Sequence, residues 1–203
     1  MLAMFFTHDG SDTAKWMLKG HGKTKFWEWM ATWAVCIRNP ADLGFDGSRY
    51  ILPPMEIISH VVESAPVDDL FAKPVVGLLE RNQARKESID ERVAKVAEIV
   101  NASTEQWVIW CHRNEEGEKL AKLIAGSVDL KGADSMDQKE ATIDSFIDGS
   151  LRVMITKPSI AGAGLNFQHC NHTAFVGLSD SWEQYYQAIR RFYRFGQQKS
   201  VVV

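Results

Sequence analysis

Cysteine is scarce in this sequence. The 203 residues include only Cys36, Cys111 and Cys170, and no two of them have C-x-x-C spacing. An odd number of cysteines without that spacing argues against a disulfide framework and against a zinc ribbon. The cysteine content therefore predicts a reducing compartment and no structural metal.

Long apolar runs are also absent. No stretch approaches the roughly 20 consecutive apolar residues that cross a membrane. The apolar residues 1–6 are far fewer than a signal peptide needs. We therefore expect a cytoplasmic protein without a membrane partner, with enough residues for one main domain.

The chain has little net charge. The net charge of −3 argues against a protein that coats nucleic acid non-specifically. Residues 185–203 are the exception, because they contain four Arg or Lys and no Asp or Glu. Any contact with a polyanion should therefore be local and close to the carboxyl end.

The sequence lacks a convincing phosphate-binding loop. Residues 20–24, Gly-His-Gly-Lys-Thr, match the end of the pattern G-x-x-x-x-G-K-[ST], but Met17 occupies the place of the first glycine. We expect no apolar strand before this loop, and no D-E-x-[DH] element follows it. We interpret it as a solvated loop, while a free-standing ATPase that uses Lys23 and Thr24 is an alternative.

The organisation of the chain changes near residue 106. Residues 1–106 show helical patterns and proline-punctuated connections, with a Trp-rich helix from Phe26 to Ile37, a helix over 82–100 and at most one strand, near 56–62. Residues 107–203 alternate β-rich runs with amphipathic segments, which predicts a mostly parallel sheet flanked by helices. In this second part we expect strands at 107–111, 127–130, 152–156, 173–177 and 201–203, and helices at 115–125, 137–147 and 182–195.

Ligands of such sheets bind beyond the carboxyl ends of the strands. Arg113 follows the first of these strands, and Thr156, Lys157 and Ser159 follow the third. Residues 161–166, Ala-Gly-Ala-Gly-Leu-Asn, come next, and their glycines would let backbone N–H groups approach a ligand closely. Taken alone, the glycine pair is weak evidence, because glycines also end strands and turn chains.

The segment from Gln187 to Gln197 gathers guanidinium groups. At 100° per residue in a helix, Gln187, Arg191 and Arg194 lie within about 60° of one another, with apolar side chains on the opposite face. Guanidinium groups offer planar, permanently charged donors that suit phosphate oxygens. The pattern is typical of arginine fingers, although scattered surface arginines would look similar.

The order of these pieces resembles motifs of superfamily 2 helicases. Residues 156–166 are similar to motif V, 179–182 to motif Va, and Gln187-x-x-x-Arg191-x-x-Arg194-x-Gly196-Gln197 to motif VI. Residues 107–112 stand where motif IV would be. The closest resemblance is to Swi/Snf-type translocases, particularly their compact phage and bacterial relatives, and it covers roughly residues 26–203.

The resemblance implies an α/β, RecA-like C-terminal motor lobe at 107–203 and a helical inter-lobe segment at 1–106. It implies that Arg191 and Arg194 reach the γ-phosphate of ATP, while Gln187 orients the phosphate or the attacking water. The ATP and its Mg²⁺ would be held mainly by an N-terminal lobe, in cis or in trans, for which this chain has no room. The setting implied is the cytoplasm of a bacterium or of a phage-infected cell.

The resemblance also implies contacts to nucleic acid, with DNA favoured. Gly162, Gly164 and Asn166 would lie at the nucleotide site and couple its state to the nucleic-acid track. The residues implied to touch the phosphate backbone are Thr156, Lys157, Ser159 and Arg113.

One residue departs from the family pattern. Arg190 stands where the family usually has glycine, so a bulky cation enters this segment. The alternative to a motor lobe is a non-enzymatic regulatory or adaptor domain that keeps the fold and binds nucleic acid or a motor partner.

Overall fold

The computed structural model describes residues 2–9, 12–62, 77–162 and 164–203. The chain divides into two compact units, Met1–Ile51 and Leu52–Val203. Residues 63–76 of the segment expected to join two motor lobes lie outside the described residues.

The first unit is built on a hairpin. A short helix α1 (Leu2–Phe5) leads into strand β1 (Phe6–Asp9), which pairs antiparallel with β2 (Asp12–Leu18). Helix α2 (Lys23–Ala31) follows, and short 3-10 turns cover Gly20–Gly22, Pro40–Leu43 and Ser48–Tyr50. The sequence predicted helical patterns and irregular connections here and did not predict the two locally paired strands with which the chain begins.

Helix α2 is also shorter than its apolar stripe suggested. It ends at Ala31 rather than near Ile37, and the hydroxyl of Thr32 donates to the carbonyl of Trp29. A side chain that bonds the helix's own carbonyls competes with continuation of the helix. Phe5 is buried and contacts the rings of Phe26 and Trp29, which form the small core of this unit.

The second unit contains a six-stranded sheet in which every described pairing is parallel. The strand order is β3-β8-β7-β4-β6-β5. This confirms the α/β fold with a mostly parallel sheet flanked by helices. The elements are β3 (Met55–Glu56), α3 (Leu78–Glu87), α4 (Ile89–Asn101), β4 (Trp107–Trp110), α5 (Asn114–Leu123), β5 (Ser127–Asp129), α6 (Met136–Ile147), β6 (Val153–Thr156), α7 (Pro158–Ala161), β7 (His172–Phe175), α8 (Trp182–Ile189) and β8 (Val201–Val202).

The central strands are buried on both faces. All four residues of β4 and all four of β6 are buried, as their continuous apolar runs predict for a covered parallel sheet. Successive side chains of a strand point to opposite faces. Ile109 and Ile155 therefore pack with α4 and α5, while Val108 and Met154 pack in the other cluster, which includes Phe146 of α6.

Three elements differ from the expected bounds. The single helix expected over 82–100 is two helices, α3 and α4, separated at Ser88, whose hydroxyl donates to the carbonyl of Ala84. The strand expected near 56–62 is confined to β3, although the amide of Ile58 still donates to Val203. Helix α8 ends at Ile189 instead of Phe195, which changes how the arginines beyond it are positioned.

None of the helices in the described ranges is long and apolar enough to span a membrane.

Candidate functional site

The candidate site lies at the edge of the sheet where the carboxyl ends of β4, β6 and β7 meet. Trp110 pairs with Thr156 on one side and with Phe175 on the other, so the three strands finish at the same level. Arg113 follows β4 and Lys157 follows β6. Parallel register therefore brings to one edge residues that are more than forty positions apart in sequence.

A pocket of about 300 Å³ opens at this edge, beside the carboxyl ends of β4, β5 and β6. Arg113, Lys157 and Ser159, three of the four residues predicted to contact nucleic acid, line it together. Lys131, which the sequence did not single out, lines it as well. The remaining lining residues are Cys111, Asn114, Asp129, Leu130, Gly132, Ala133 and Ile160.

The charges in this pocket are only partly compensated. Lys131 forms ion pairs with Glu118 at 3.0 Å and with Asp129 at 3.6 Å. Burial raises the pKa of the Asp129 carboxyl, although the Lys131 charge opposes that shift. Within the described ranges, Lys157 and Arg113 take part in no ion pair, and the buried Nε of Arg113 has no hydrogen-bond partner. The pocket therefore offers cations to an anionic ligand.

Thr156 is placed differently from its neighbours. Its side chain is 1% exposed, and its hydroxyl donates to the carbonyl of Leu130 at 3.2 Å. This hydroxyl is used inside the sheet, which leaves Lys157 and Ser159 to face a ligand.

The arginine segment is not one continuous helical face. Helix α8 ends at Ile189, so Arg191 and Arg194 lie in the turns that follow it. The helical-wheel geometry expected for the whole segment was therefore wrong for Arg194, although Arg191 still lies beside Gln187 and bonds to it. What groups the two arginines is a set of turns, in which the amide of Arg194 donates to Phe192 and that of Gln197 donates to Arg194.

Arg191 is held in place by three hydrogen bonds. Its guanidinium donates to the Gln187 side-chain oxygen at 2.9 Å, to the Gln187 carbonyl at 3.2 Å and to the Leu165 carbonyl at 3.1 Å. Burial lowers the pKa of Arg191, and the nearby charge of Arg194 lowers it further. Because a guanidinium keeps its proton in proteins, Arg191 stays charged at neutral pH.

Neither arginine is neutralised by a carboxylate. Over the ranges that the structure describes, no ion pair includes Arg191 or Arg194. Two like charges kept close together without a counter-ion repel each other. An anion placed between them would relieve that repulsion.

Arg190 has a packing role at the same turn. Its guanidinium carbon lies 5.8 Å from the ring centroid of Tyr186 and 5.8 Å from that of Tyr193. A cation within about 6 Å of an aromatic face is attracted to it. Arg190 therefore joins the last turn of α8 to the segment between Arg191 and Arg194.

The glycine segment contacts the arginine segment directly. The amide of Phe167 donates to the carbonyl of Arg191 at 2.9 Å, while Arg191 donates to the carbonyl of Leu165. Asn166 accepts from the amide of Gln168, which tightens the turn between them. No sequence pattern indicated that the Leu165 carbonyl would bind an arginine.

The two glycines in this segment serve different needs. A Cβ on Gly162 would overlap the carbonyl oxygen of Pro158, so the tight turn after α7 requires glycine. Gly164 has a φ of +79°, a left-handed conformation that glycine adopts without strain. Ala163, which stands between them, lies outside the described residues.

A buried ion pair supports the sheet edge, and sequence reasoning missed it. Glu116 of α5 is 1% exposed and pairs with Arg92 of α4 at 2.8 Å. Its other oxygen accepts from the amides of His112 and Arg113, at 2.8 and 2.9 Å. Arg92 also donates to the carbonyl of Val176. The pair thus fixes the chain just after β4 and just after β7.

A second ion pair lies before helix α8. Asp180 pairs with Arg85 at 2.7 Å and with Arg81 at 3.4 Å. The hydrogen bond from Arg85 lowers the pKa of the Asp180 carboxyl. Ser181 caps helix α8, since its hydroxyl accepts from the amide of Gln184.

The loop at residues 20–24 differs from the expectation in one respect. Strand β2 precedes it, but this strand is one arm of an antiparallel hairpin. The amides of Gly22 and Lys23 donate to the carbonyls of Lys19 and Gly20. Because these N–H groups are already bonded, the loop does not offer the open backbone cradle of a phosphate-binding loop.

No group of three or more His, Cys, Asp or Glu side chains in the described part of the chain is placed to hold a metal ion. Cys170 lies between His169 and His172 in sequence, and its buried thiol hydrogen-bonds to the carbonyls of Gln106 and His172. This cluster is part of the packing of the sheet.

Comparison with known proteins identifies part of the chain. No curated protein matches it. Several solved structures are similar. The C-terminal part of the Fun30 ATPase domain is 19% identical, with a TM-score of 0.49 over 55% of this chain and 39% of that one. The C-terminal domain of the DEAD-box protein Dbp5 is 17% identical, with a TM-score of 0.46 over 56% of this chain and 68% of that one. A hypothetical ATP-dependent RNA helicase from Sulfolobus tokodaii is 18% identical, with a TM-score of 0.46 over 55% of this chain and 33% of that one.

This chain therefore matches less than two fifths of the length of the first structure and one third of the third. The model of the helicase conserved C-terminal domain matches residues 91–196, just over half of the chain. These residues run from α4 to the turns that hold Arg191 and Arg194. The chain therefore belongs to the helicase conserved C-terminal domain family.

Proposed function

We propose that this chain supplies the C-terminal motor lobe of an ATP-dependent DNA helicase or translocase. In this proposal Arg191 and Arg194 act on ATP that is held by an N-terminal lobe, in cis or in trans. The observation that carries the proposal is the fixed Arg191 with Arg194 beside it, both without a carboxylate partner in the described ranges.

The chemistry of phosphoryl transfer suits this arrangement. Negative charge spreads over the phosphoryl oxygens in the transition state, and pre-placed cations stabilise it without reorganising. Gln187 and Leu165 hold the Arg191 guanidinium in one orientation. Gln187 accepts from Arg191 through its side-chain oxygen, so its amide nitrogen is the group left to donate to a phosphate or to contact the attacking water.

ATP with Mg²⁺ is the cofactor that this proposal requires, and this chain provides only part of its site. The guanidinium groups of Arg191 and Arg194 fit phosphate oxygens. Gly162, Gly164 and Asn166 belong to the segment that bonds to Arg191, and we place them beside the nucleotide. When bound, Mg²⁺ neutralises phosphate charge, and we assign its ligands to the N-terminal lobe.

The nucleic-acid track is proposed to run along the pocket at the strand ends. Arg113, Lys157 and Ser159 line that pocket together, and we add Lys131 to them. Contacts of this kind fix the position of a phosphate backbone and carry no sequence information. Helix α7 follows Lys157 directly and leads into Gly162, so the track and the arginine segment are joined by one short stretch of chain.

We also propose the finer assignments that the motif order favours. Residues 156–197 follow the motif order of Swi/Snf-type translocases and of their compact phage and bacterial relatives. On this basis residues 1–106 serve as the inter-lobe segment, and the track is DNA. The free thiols of Cys36, Cys111 and Cys170 favour the reducing cytoplasm.

Reconstitution tests the motor assignment. The chain is mixed with a separately produced N-terminal lobe that contains a phosphate loop and an acidic motif, and ATP hydrolysis is measured with and without DNA. We expect DNA-stimulated hydrolysis that neither part shows alone. The adaptor alternative predicts that this chain changes the location or DNA binding of its partner and leaves the turnover unchanged.

A titration with DNA tests the proposed track. We expect Lys157→Ala to weaken binding to all sequences similarly, and to reduce the slope of log K against log[salt] by about 0.7 for a single strand or about 0.9 for a duplex. Fluorescence anisotropy at several salt concentrations measures both quantities. Lys199→Ala is the matched control, because Lys199 is exposed and pairs with Glu105 outside this pocket. An unchanged salt slope in Lys157→Ala would contradict the assignment.

A further inference from the structure

We propose that the Met1–Ile51 unit carries a second binding surface, for single-stranded nucleic acid, in which bases stack on exposed tryptophans beside lysines. This surface lies outside residues 91–196, which match the family. It is independent of the motor proposal, since it uses none of the residues at the sheet edge.

The first observation is the exposure of three large aromatic side chains. Trp16 is 42% exposed, Trp27 56% and Trp33 60%. The tryptophans of β4, in contrast, are 5% exposed or less. Three exposed tryptophans within one small unit point to an interaction surface, because each leaves a large apolar area in water.

The second observation is that these rings are held in place. Trp16 packs on His8, with ring centroids 3.8 Å apart, and Trp27 packs on Phe26 at 5.2 Å. Trp33 packs on Trp29, also at 5.2 Å. A ring that is fixed on one side and open on the other can stack a base without losing much conformational freedom.

The hairpin places Trp16 on the face that helix α2 packs against. Directly opposed residues of an antiparallel pair point to the same side, so Trp16 and its partner His8 share a face with Phe6 and its partner Leu18. Phe26 of α2 contacts Phe6, which puts the helix over one end of that face. Trp27 follows Phe26 in α2, and Trp16 lies at the uncovered end.

The third observation is the charge around these rings, which decides the kind of ligand. Residues 12–28 contain four lysines against Asp12 and Glu28, and one of these lysines, Lys19, donates to the carbonyl of Ala3. Lys23 and Lys25 are exposed, and Lys23 stands one helical turn before Trp27, so these two side chains are neighbours. Cations interleaved with stacking rings match a single strand, which presents both phosphates and unpaired bases.

Anisotropy titrations of the full chain with a labelled oligothymidylate of about 20 nucleotides test this surface. We expect Trp16→Ala and Trp27→Ala each to weaken binding by about fivefold or more, because one stacked base is lost. We expect the double variant Lys23→Gln/Lys25→Gln to reduce the salt slope by about 1.4, since each single-strand phosphate contact contributes about 0.7. Trp27→Phe, which keeps an aromatic face, should retain most of the affinity.

The matched control is Trp182→Ala, because Trp182 is 72% exposed but belongs to the other unit. It should bind like the unaltered chain. Each variant is also made in a Lys157→Ala background. If the two surfaces act separately, each variant should reduce the affinity by the same factor in both backgrounds. If Trp27→Ala leaves the oligothymidylate affinity unchanged while Lys157→Ala still weakens it, this proposal is overturned and the motor proposal is unaffected.

Two further results would overturn the proposal. One is unchanged affinity and unchanged salt slope in the Lys23→Gln/Lys25→Gln variant. Both lysines are exposed, so we expect this variant to fold. It therefore tests the surface even if Trp27→Ala loses structure. The other is a chain that self-associates in sedimentation, with Trp27→Ala reducing that association but not the oligothymidylate affinity. The surface would then be a contact between copies of this chain.

Discussion

Replacing Arg191 by alanine is expected to reduce DNA-stimulated ATP hydrolysis of the reconstituted motor by roughly 10³- to 10⁵-fold, the range measured for arginine fingers. That loss corresponds to about 4 to 7 kcal/mol of barrier. The physical reason is that a phosphoryl group developing charge would lose a cation that Gln187 and Leu165 hold in position beforehand. Steady-state turnover at saturating ATP and DNA measures the effect.

Three companion variants make this test specific. Arg191→Lys keeps the charge but loses the planar fork, so we expect most of the activity to be lost. Arg194→Ala should also reduce turnover strongly, because the two charges act on the same anion. Arg49→Ala, at an exposed position in the other unit, should leave turnover unchanged. Normal turnover in both Arg191→Ala and Arg194→Ala would remove the finger role.

The second large effect is expected in stability. We expect Arg92→Met to lower the free energy of unfolding by about 3 to 5 kcal/mol, because it leaves the buried carboxylate of Glu116 without its counter-charge. A typical domain is stable by only about 5 to 15 kcal/mol, so this loss is a large fraction of the total. Urea denaturation followed by circular dichroism gives the value.

A double-mutant cycle separates the ion pair from simple packing. Arg92→Met/Glu116→Gln should be less destabilised than the sum of the two single variants, because no unpaired charge then stays buried. Lys95→Met is the matched control on α4, since among the described residues Lys95 pairs only with the exposed Glu98 one turn away. It should change stability by about 0.5 kcal/mol or less. Equal losses in Arg92→Met and Lys95→Met would mean that Glu116 is not compensated by Arg92.

The buried pair also has a consequence for the binding edge. Glu116 accepts from the amide of Arg113, and Arg92 donates to the carbonyl of Val176. A weakened pair would therefore loosen the segment that presents Arg113 to the pocket. We therefore expect variants of this pair to change both the stability of the fold and the proposed affinity for DNA. The link runs through backbone atoms, so a motif of side chains does not show it.

The strands of the sheet could be predicted from the sequence because each is a short apolar run. The runs at Trp107–Trp110 and Val153–Thr156 are continuous, as expected for strands covered on both faces. Their alternation with helical patterns requires right-handed crossovers, which leave few possible sheets. The helix ends were less predictable, because Ser88 and Thr32 interrupt apolar stripes through bonds to backbone carbonyls.

The first unit shows the limit of reasoning from periodicity. Strands β1 and β2 pair locally across the unit's own hairpin, and Trp16 stays 42% exposed. Residues 12–18 show no clear alternation of apolar and polar residues, so the sequence did not predict a strand there. The exposed aromatic rings became visible only once the pairing placed them.

The sequence alone determined the parallel sheet and the presence of two arginines near the carboxyl end, since both follow from local composition and spacing. Only the tertiary structure decided what holds those arginines. Arg191 bonds to a carbonyl 26 positions earlier, and Glu116 meets Arg92 across 24 positions. Such partners are chosen by how the chain closes on itself, because any backbone carbonyl can accept and any carboxylate can pair. Spacing along a helix cannot show which carbonyl or carboxylate becomes the partner, whereas the folded chain brings one of them within hydrogen-bond distance.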